Sequence, residues 1–97
     1  MELPLAITRS GAQRVALAGL TNNISSSGVL FTAEREPDLG GPIEYIITLN
    51  NKAGQDIHLR CIGKVLRSER DRAVAAAESP GFRIAATLER YEFLRNR

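Results

Sequence analysis

The chain has few groups with which to do covalent chemistry. Its 97 residues include one cysteine, one histidine and no tryptophan, and aromatic side chains make up only 5 %. A lone Cys61 excludes an internal disulfide and agrees with a reducing compartment. It falls in an apolar strand pattern and reads as a small core residue. One histidine and one cysteine cannot build a dense His/Cys metal site, so neither a metal nor a cofactor is expected. No apolar run approaches the ~20 residues needed to cross a bilayer, and no basic-then-apolar leader precedes the first structured segment. The expectation is a cytoplasmic domain without membrane contact. No G-x-x-x-x-G-K phosphate loop is present either.

One-sided charge is also missing. Thirteen Lys and Arg against eleven Asp and Glu leave a net charge of only +2, and the cations are spread along the chain. A polyphosphate backbone is tracked by a basic run or stripe, so a nucleic-acid polymer is not the expected partner. A single-stranded nucleic-acid barrel would also need aromatic stacking platforms, and Phe31 and Phe82 fall on positions that read as core.

What is present is a period of two. Hydrophobic residues make up 43 % of the chain, enough for one globular domain over residues 1–97 and too short for two. Leu3, Leu5 and Ile7 alternate with smaller or polar residues before a turn at Ser10-Gly11. Gln13 to Asn22 reads as a second strand and Val29 to Ala33 as a third. Glu36 to Pro42, with two prolines and two glycines, is a loop. Ile43, Tyr45, Ile47 and Leu49 share one face of a fourth strand. After a turn at Asn50 to Asp56, Ile57, Leu59, Cys61, Gly63 and Val65 share a face of a fifth. Gly63 marks a bend where a barrel closes. A connection from Glu69 to Pro80, containing Ala73 to Ala77, reads as a loop with one helical turn. Phe82, Ile84, Ala86 and Leu88 form a sixth strand. Glu89 to Arg95 reads as a short helix, with Leu88, Tyr91 and Leu94 or Arg95 on the side that would plug a barrel end. The fold class expected is all-β: a six-stranded antiparallel barrel with a short C-terminal helix.

One polar corner stands out, Asn23-Ile24-Ser25-Ser26-Ser27-Gly28, set between two apolar strands. Asn23 offers an acceptor and a donor, the pair a purine edge requires. The serines can donate or accept, and Gly28 lets backbone N–H groups approach a ligand. The same composition also describes an ordinary polar turn, because Asn and Ser side chains bond their local backbone.

The stretch NISSSG followed by Val29-Leu30-Phe31 resembles the [D/N]-x-S-x-x-G motif of PilZ domains, the bacterial receptor modules for cyclic di-GMP. Cys61 to Arg67 resembles the family's G-x-V-x-R strand, and Gly81 to Ala85 resembles the glycine-led strand that follows it. The three pieces occur in the family's order and span nearly the whole chain from Leu3. The resemblance implies a non-catalytic sensor in bacterial second-messenger signalling that receives cyclic di-GMP on the outside of its barrel. Asn23, Ser25 and Ser26 would bond a guanine or its adjoining phosphate, Gly28 would keep the turn open, and Arg67 would reach in from a neighbouring strand.

The chain departs from that family in one respect. The R-x-x-x-R arm that clamps the phosphates ahead of the first strand has no counterpart after Met1. Arg9 and Arg14 are spaced one residue too far apart and flank a hairpin turn. Two lost charged hydrogen bonds would cost roughly 3–6 kcal/mol. That motivates an alternative: a degenerate PilZ-like adaptor that docks on a partner protein or a neighbouring domain without the nucleotide. An enzyme is not expected. His58 and Cys61 have opposite parity along one strand and cannot form a nucleophile–base pair.

Overall fold

Alternating side chains give the described residues seven strands: β1 (Pro4–Ser10), β2 (Gln13–Ile24), β3 (Gly28–Ala33), β4 (Pro42–Asn50), β5 (Asp56–Arg70), β6 (Phe82–Thr87) and β7 (Arg90–Leu94). The computed structural model describes residues 3–37, 39–50, 56–70 and 81–94. All pairings are antiparallel. The strands run in the order β4-β1-β2-β3-β6-β5-β7, and an added β4–β5 pairing closes the first six into a barrel. Closure leaves those six strands no exposed edge.

The core fills the barrel from every side. Ile7, Phe31, Tyr45, Ile47, Cys61 and Ile84 are fully buried, and the rings of Phe31 and Tyr45 lie 5.9 Å apart, tilted by 31°. The face expected from Ile43, Tyr45 and Ile47 points inward, as do Cys61, Gly63 and Val65. His58 lies on the outer face, with Nδ1 3.2 Å from the Thr48 hydroxyl, so it is turned away from Cys61.

Gly63 sits where β5 changes partner. Residues 58–62 of β5 pair with β7, and Val65 onward pairs with β6. At the junction the Thr87 carbonyl accepts from the Tyr45 hydroxyl at 3.1 Å. The Thr87 hydroxyl accepts from the Lys64 N–H and donates to Glu89, both at 2.8 Å. A Cβ on Gly63 would overlap the Thr87 carbonyl oxygen. The expected bend is thus a close backbone approach of β6 to β5.

Strand ends move, with Pro42 opening β4 opposite Lys64 instead of closing the loop before it, and three further sequence expectations need correction. The first turn is at Gly11-Ala12, with Gly11 at φ +61°, while Ser10 stays in β1 opposite Gln13. The fifth strand runs on to Arg70, so Glu69 is not in a loop. Ala73 to Ala77 lies outside the described residues, as do 51–55 of the turn before β5. The third correction is the largest: Arg90–Leu94 is a strand and not a helix. Leu88, Tyr91 and Leu94 do have helical spacing, but Tyr91 and Phe93 also alternate with Arg90 and Glu92. Tertiary context decides. β7 continues β6 along β5, placing Glu92 opposite Arg60 in a 3.1 Å ion pair.

Burial also sets how the fold responds to alkali. It pushes the Cys61 thiol from an ordinary 9.0 up to about 11. It raises the Tyr45 phenol further still, with a smaller contribution from the nearby Cys61. Both groups therefore hold their protons more tightly in the folded chain. Their contribution to stability is complete below the unfolded thiol value and declines as the pH rises through 9.0 towards about 11. Urea midpoints are expected to fall between about pH 8 and about pH 10.5, and less steeply in Cys61→Ala. A flat profile over that range would contradict it.

Candidate functional site

The polar corner is the β2–β3 hairpin tip and the end of β2 beside it. Ser25 N–H donates to the Gly28 carbonyl at 2.9 Å, which makes 25–28 a tight turn. The Ser25 hydroxyl is used within it, 3.3 Å from the Gly28 carbonyl and 3.4 Å from both the Ser27 N–H and the Ser27 hydroxyl. Ser26 is exposed and, like the side-chain amide of Asn23, has no hydrogen-bond partner among the described residues. A Cβ on Gly28 would lie 3.0 Å from the Ala86 carbonyl oxygen. Its missing side chain therefore relieves a tight approach of β6, whatever comes from outside.

Strand parity turns Asn23 outward. Val15, Leu17, Gly19 and Thr21 of β2 face the barrel interior, and strict alternation would send Asn23 inward too. The register shifts at Asn22 instead: Thr21 pairs with buried Phe31, whereas Asn23 pairs with outward Leu30. An extra residue of this kind is a β-bulge, a device that re-aims a side chain.

β5 repeats the device. Val65 faces inward opposite Ala86, Leu66 is the extra residue, and Arg67 pairs with outward Ala85. Without the bulge Arg67 would point into the core, where no charged residue is buried among the described residues. With it, Asn23, Leu30, Ala85 and Arg67 form one row across β2, β3, β6 and β5. Three strand spacings put the ends of that row about 14 Å apart. Its floor is one leucine and one alanine, both half-buried, and its rims are an amide and a guanidinium. Arg67 has no ion pair among the described residues.

Of the residues expected from sequence, Asn23 and Arg67 thus share a row on the outer face, with Ser26 exposed at the tip. Ser25 and Gly28 serve the turn and the sheet. Arg9 and Arg14 pair with each other next to the β1–β2 turn, at the far end of β2 from Asn23. Leu30 and Ala85, the apolar floor, were not expected from sequence. No signal within one strand could have found them, because the row exists only through the two register shifts, at Asn22 and at Leu66, that pairing with β3 and β6 reveals.

Among the described residues no three His, Cys, Asp or Glu side chains come together as a metal site. No helix among them is long and apolar enough to cross a membrane. The chain matches no family model, no curated protein and no solved structure.

Proposed function

We propose that this barrel is a non-catalytic receptor for cyclic di-GMP, held on the outer face along the row from Asn23 to Arg67. One observation carries the reading: two separate β-bulges turn an amide and a guanidinium out of strands whose alternation would bury them, and bring both to one row. A flat base can lie on the Leu30–Ala85 floor. Asn23 then offers its amide to a guanine edge, and Arg67 its fork to a phosphate or a second base face. Ser26 stands close enough in sequence to add a hydroxyl from the tip. The likeness of NISSSG and of the Gly63–Arg67 strand to PilZ motifs supports the same ligand.

The test is isothermal titration of the chain using cyclic di-GMP against cyclic di-AMP. Saturable heat is expected for the guanine compound only. Asn23→Ala and Arg67→Ala are each expected to weaken binding by about tenfold to a hundredfold, the scale of one charge-assisted or buried hydrogen bond. No heat with cyclic di-GMP, or binding untouched by both substitutions, would overturn the reading and favour the nucleotide-free adaptor.

A further inference from the structure

β7 has one edge bonded to β5, and among the described residues no strand pairs with its other edge. The cause is the hairpin tip. β3 begins at Gly28, opposite Thr87, and the Leu88 N–H donates to the Ser27 carbonyl at 3.0 Å. There the β2–β3 hairpin turns back, so β7 runs on past it uncovered.

Open edges are normally blunted by proline, a bulge, or charge aimed along the edge. β7 has no proline or glycine, and its register with β5 is unbroken over five residues. Tyr91 and Phe93 are 62 % and 61 % exposed and pack edge to face with centroids 6.3 Å apart. A pair of exposed rings in edge-to-face contact, beside an edge that no strand among the described residues covers, is suited to another strand. The charges indicate which one.

On the outer face the signs alternate across the strands. The Arg60 guanidinium bonds Glu44 at 2.7 Å on one side and Glu92 at 3.1 Å on the other. Glu44 is held ionised, its carboxyl lowered by the Thr8 hydroxyl first and by Arg60 next. The series ends at Glu92, which accepts from Arg60 through Oε1. Two residues before it, Arg90 is exposed and has no ion pair within its own copy among the described residues.

We propose that the open edge of β7 pairs antiparallel with the same edge of a second copy of this chain, about a two-fold axis at Tyr91. That register sets Arg90 opposite Glu92 of the second copy, and Glu92 opposite its Arg90, so the alternating series continues across the interface twice. On the other face Tyr91 meets Tyr91, and each Phe93 lies diagonal to the opposing Tyr91, which gives one stripe of four rings. Centring the axis on Glu92 instead would put like charges opposite each other and Arg90 against Leu94. Charge therefore selects the first register, and the interface is isologous, as a closed dimer requires.

Sedimentation equilibrium tests this directly, with circular dichroism confirming that each variant is folded. The natural chain is expected to dimerise reversibly. Arg90→Glu replaces two opposite-charge pairs with two like-charge pairs and is expected to weaken the dimer about tenfold or more. Glu92→Arg should do the same. An equimolar mixture of the two variants should regain the natural affinity, because every cross-strand pair is then opposite in sign. Arg90 holds no ion pair in its own copy among the described residues, so Arg90→Glu remains a valid probe should Glu92→Arg, which removes a partner of Arg60, fail to fold. A natural chain that stays monomeric at every concentration, or a dimer that Arg90→Glu leaves equally tight, would overturn the proposal. Nucleotide binding at Asn23 and Arg67 is independent of either result.

Discussion

Gly63→Ala is expected to destabilise the barrel by about 3 kcal/mol, a large effect for the addition of one methyl group. The new Cβ would overlap the Thr87 carbonyl oxygen and lie 2.7 Å from its carbon and 2.9 Å from the Thr87 hydroxyl. Overpacking of this kind costs about 1–3 kcal/mol when neighbours can shift. Here the neighbour is backbone, fixed by the Tyr45 hydroxyl on its carbonyl and by the Lys64 N–H on its side chain. Moving it would forfeit those bonds at about 1 kcal/mol each. Alanine does stiffen the unfolded chain, but that offsets only about 0.4–1 kcal/mol. The clash dominates. Urea denaturation followed by circular dichroism measures the difference, and an unchanged midpoint would show that β5 and β6 do not meet this closely.

Phe31→Ala is expected to cost about 3–5 kcal/mol, the range for emptying a fully buried phenylalanine site. Phe31 has no exposed surface, packs its ring against Tyr45, and lies between buried Thr21 and Ile84 across the sheet. A barrel wall is closed on itself by hydrogen bonds and cannot collapse freely into the void, which favours the upper part of that range. Domains of this size hold about 5–15 kcal/mol in all, so the variant stands near its unfolding threshold. Phe31→Leu refills most of the volume and should recover most of the loss. Equal stabilities for the two variants would place Phe31 outside the core.

Much of the barrel was legible because its strands are half-buried, and a half-buried strand writes its two faces into the sequence as alternation. Ile43, Tyr45 and Ile47, then Cys61 and Val65, then Ile84 and Ala86 are found inside as that pattern requires. The two bulges were not legible in the same way. A bulge is a count of two residues against one on another strand, so Asn22 and Leu66 acquire their meaning only once β3 and β6 lie beside them. Arg67 was singled out by its motif, but the parity of β5 alone would have sent it into the core. The C-terminal segment failed for a related reason. Five residues carry both periodicities, and the choice belongs to β5, some thirty residues away in the chain, whose residues 58–62 supply the matching ladder. Thr87 gave no signal at all. A threonine at a strand end is ordinary until a glycine, a buried tyrosine and a lysine N–H converge on it.

The strand order has a consequence for how the barrel comes together. β1-β2-β3 and β4-β5-β6 are each meanders of successive neighbours, and only two seams join them: β1 with β4, where Leu5 meets Ile47, and β3 with β6, where Gly28 meets Thr87. Each half can assemble from contacts close in sequence, whereas the seams must draw distant segments together against the entropy of long loops. Zipping the second seam is then the slow event, on a scale of about milliseconds to seconds. Until it is complete, the hydrophobic inner walls of two open half-shells stay wet.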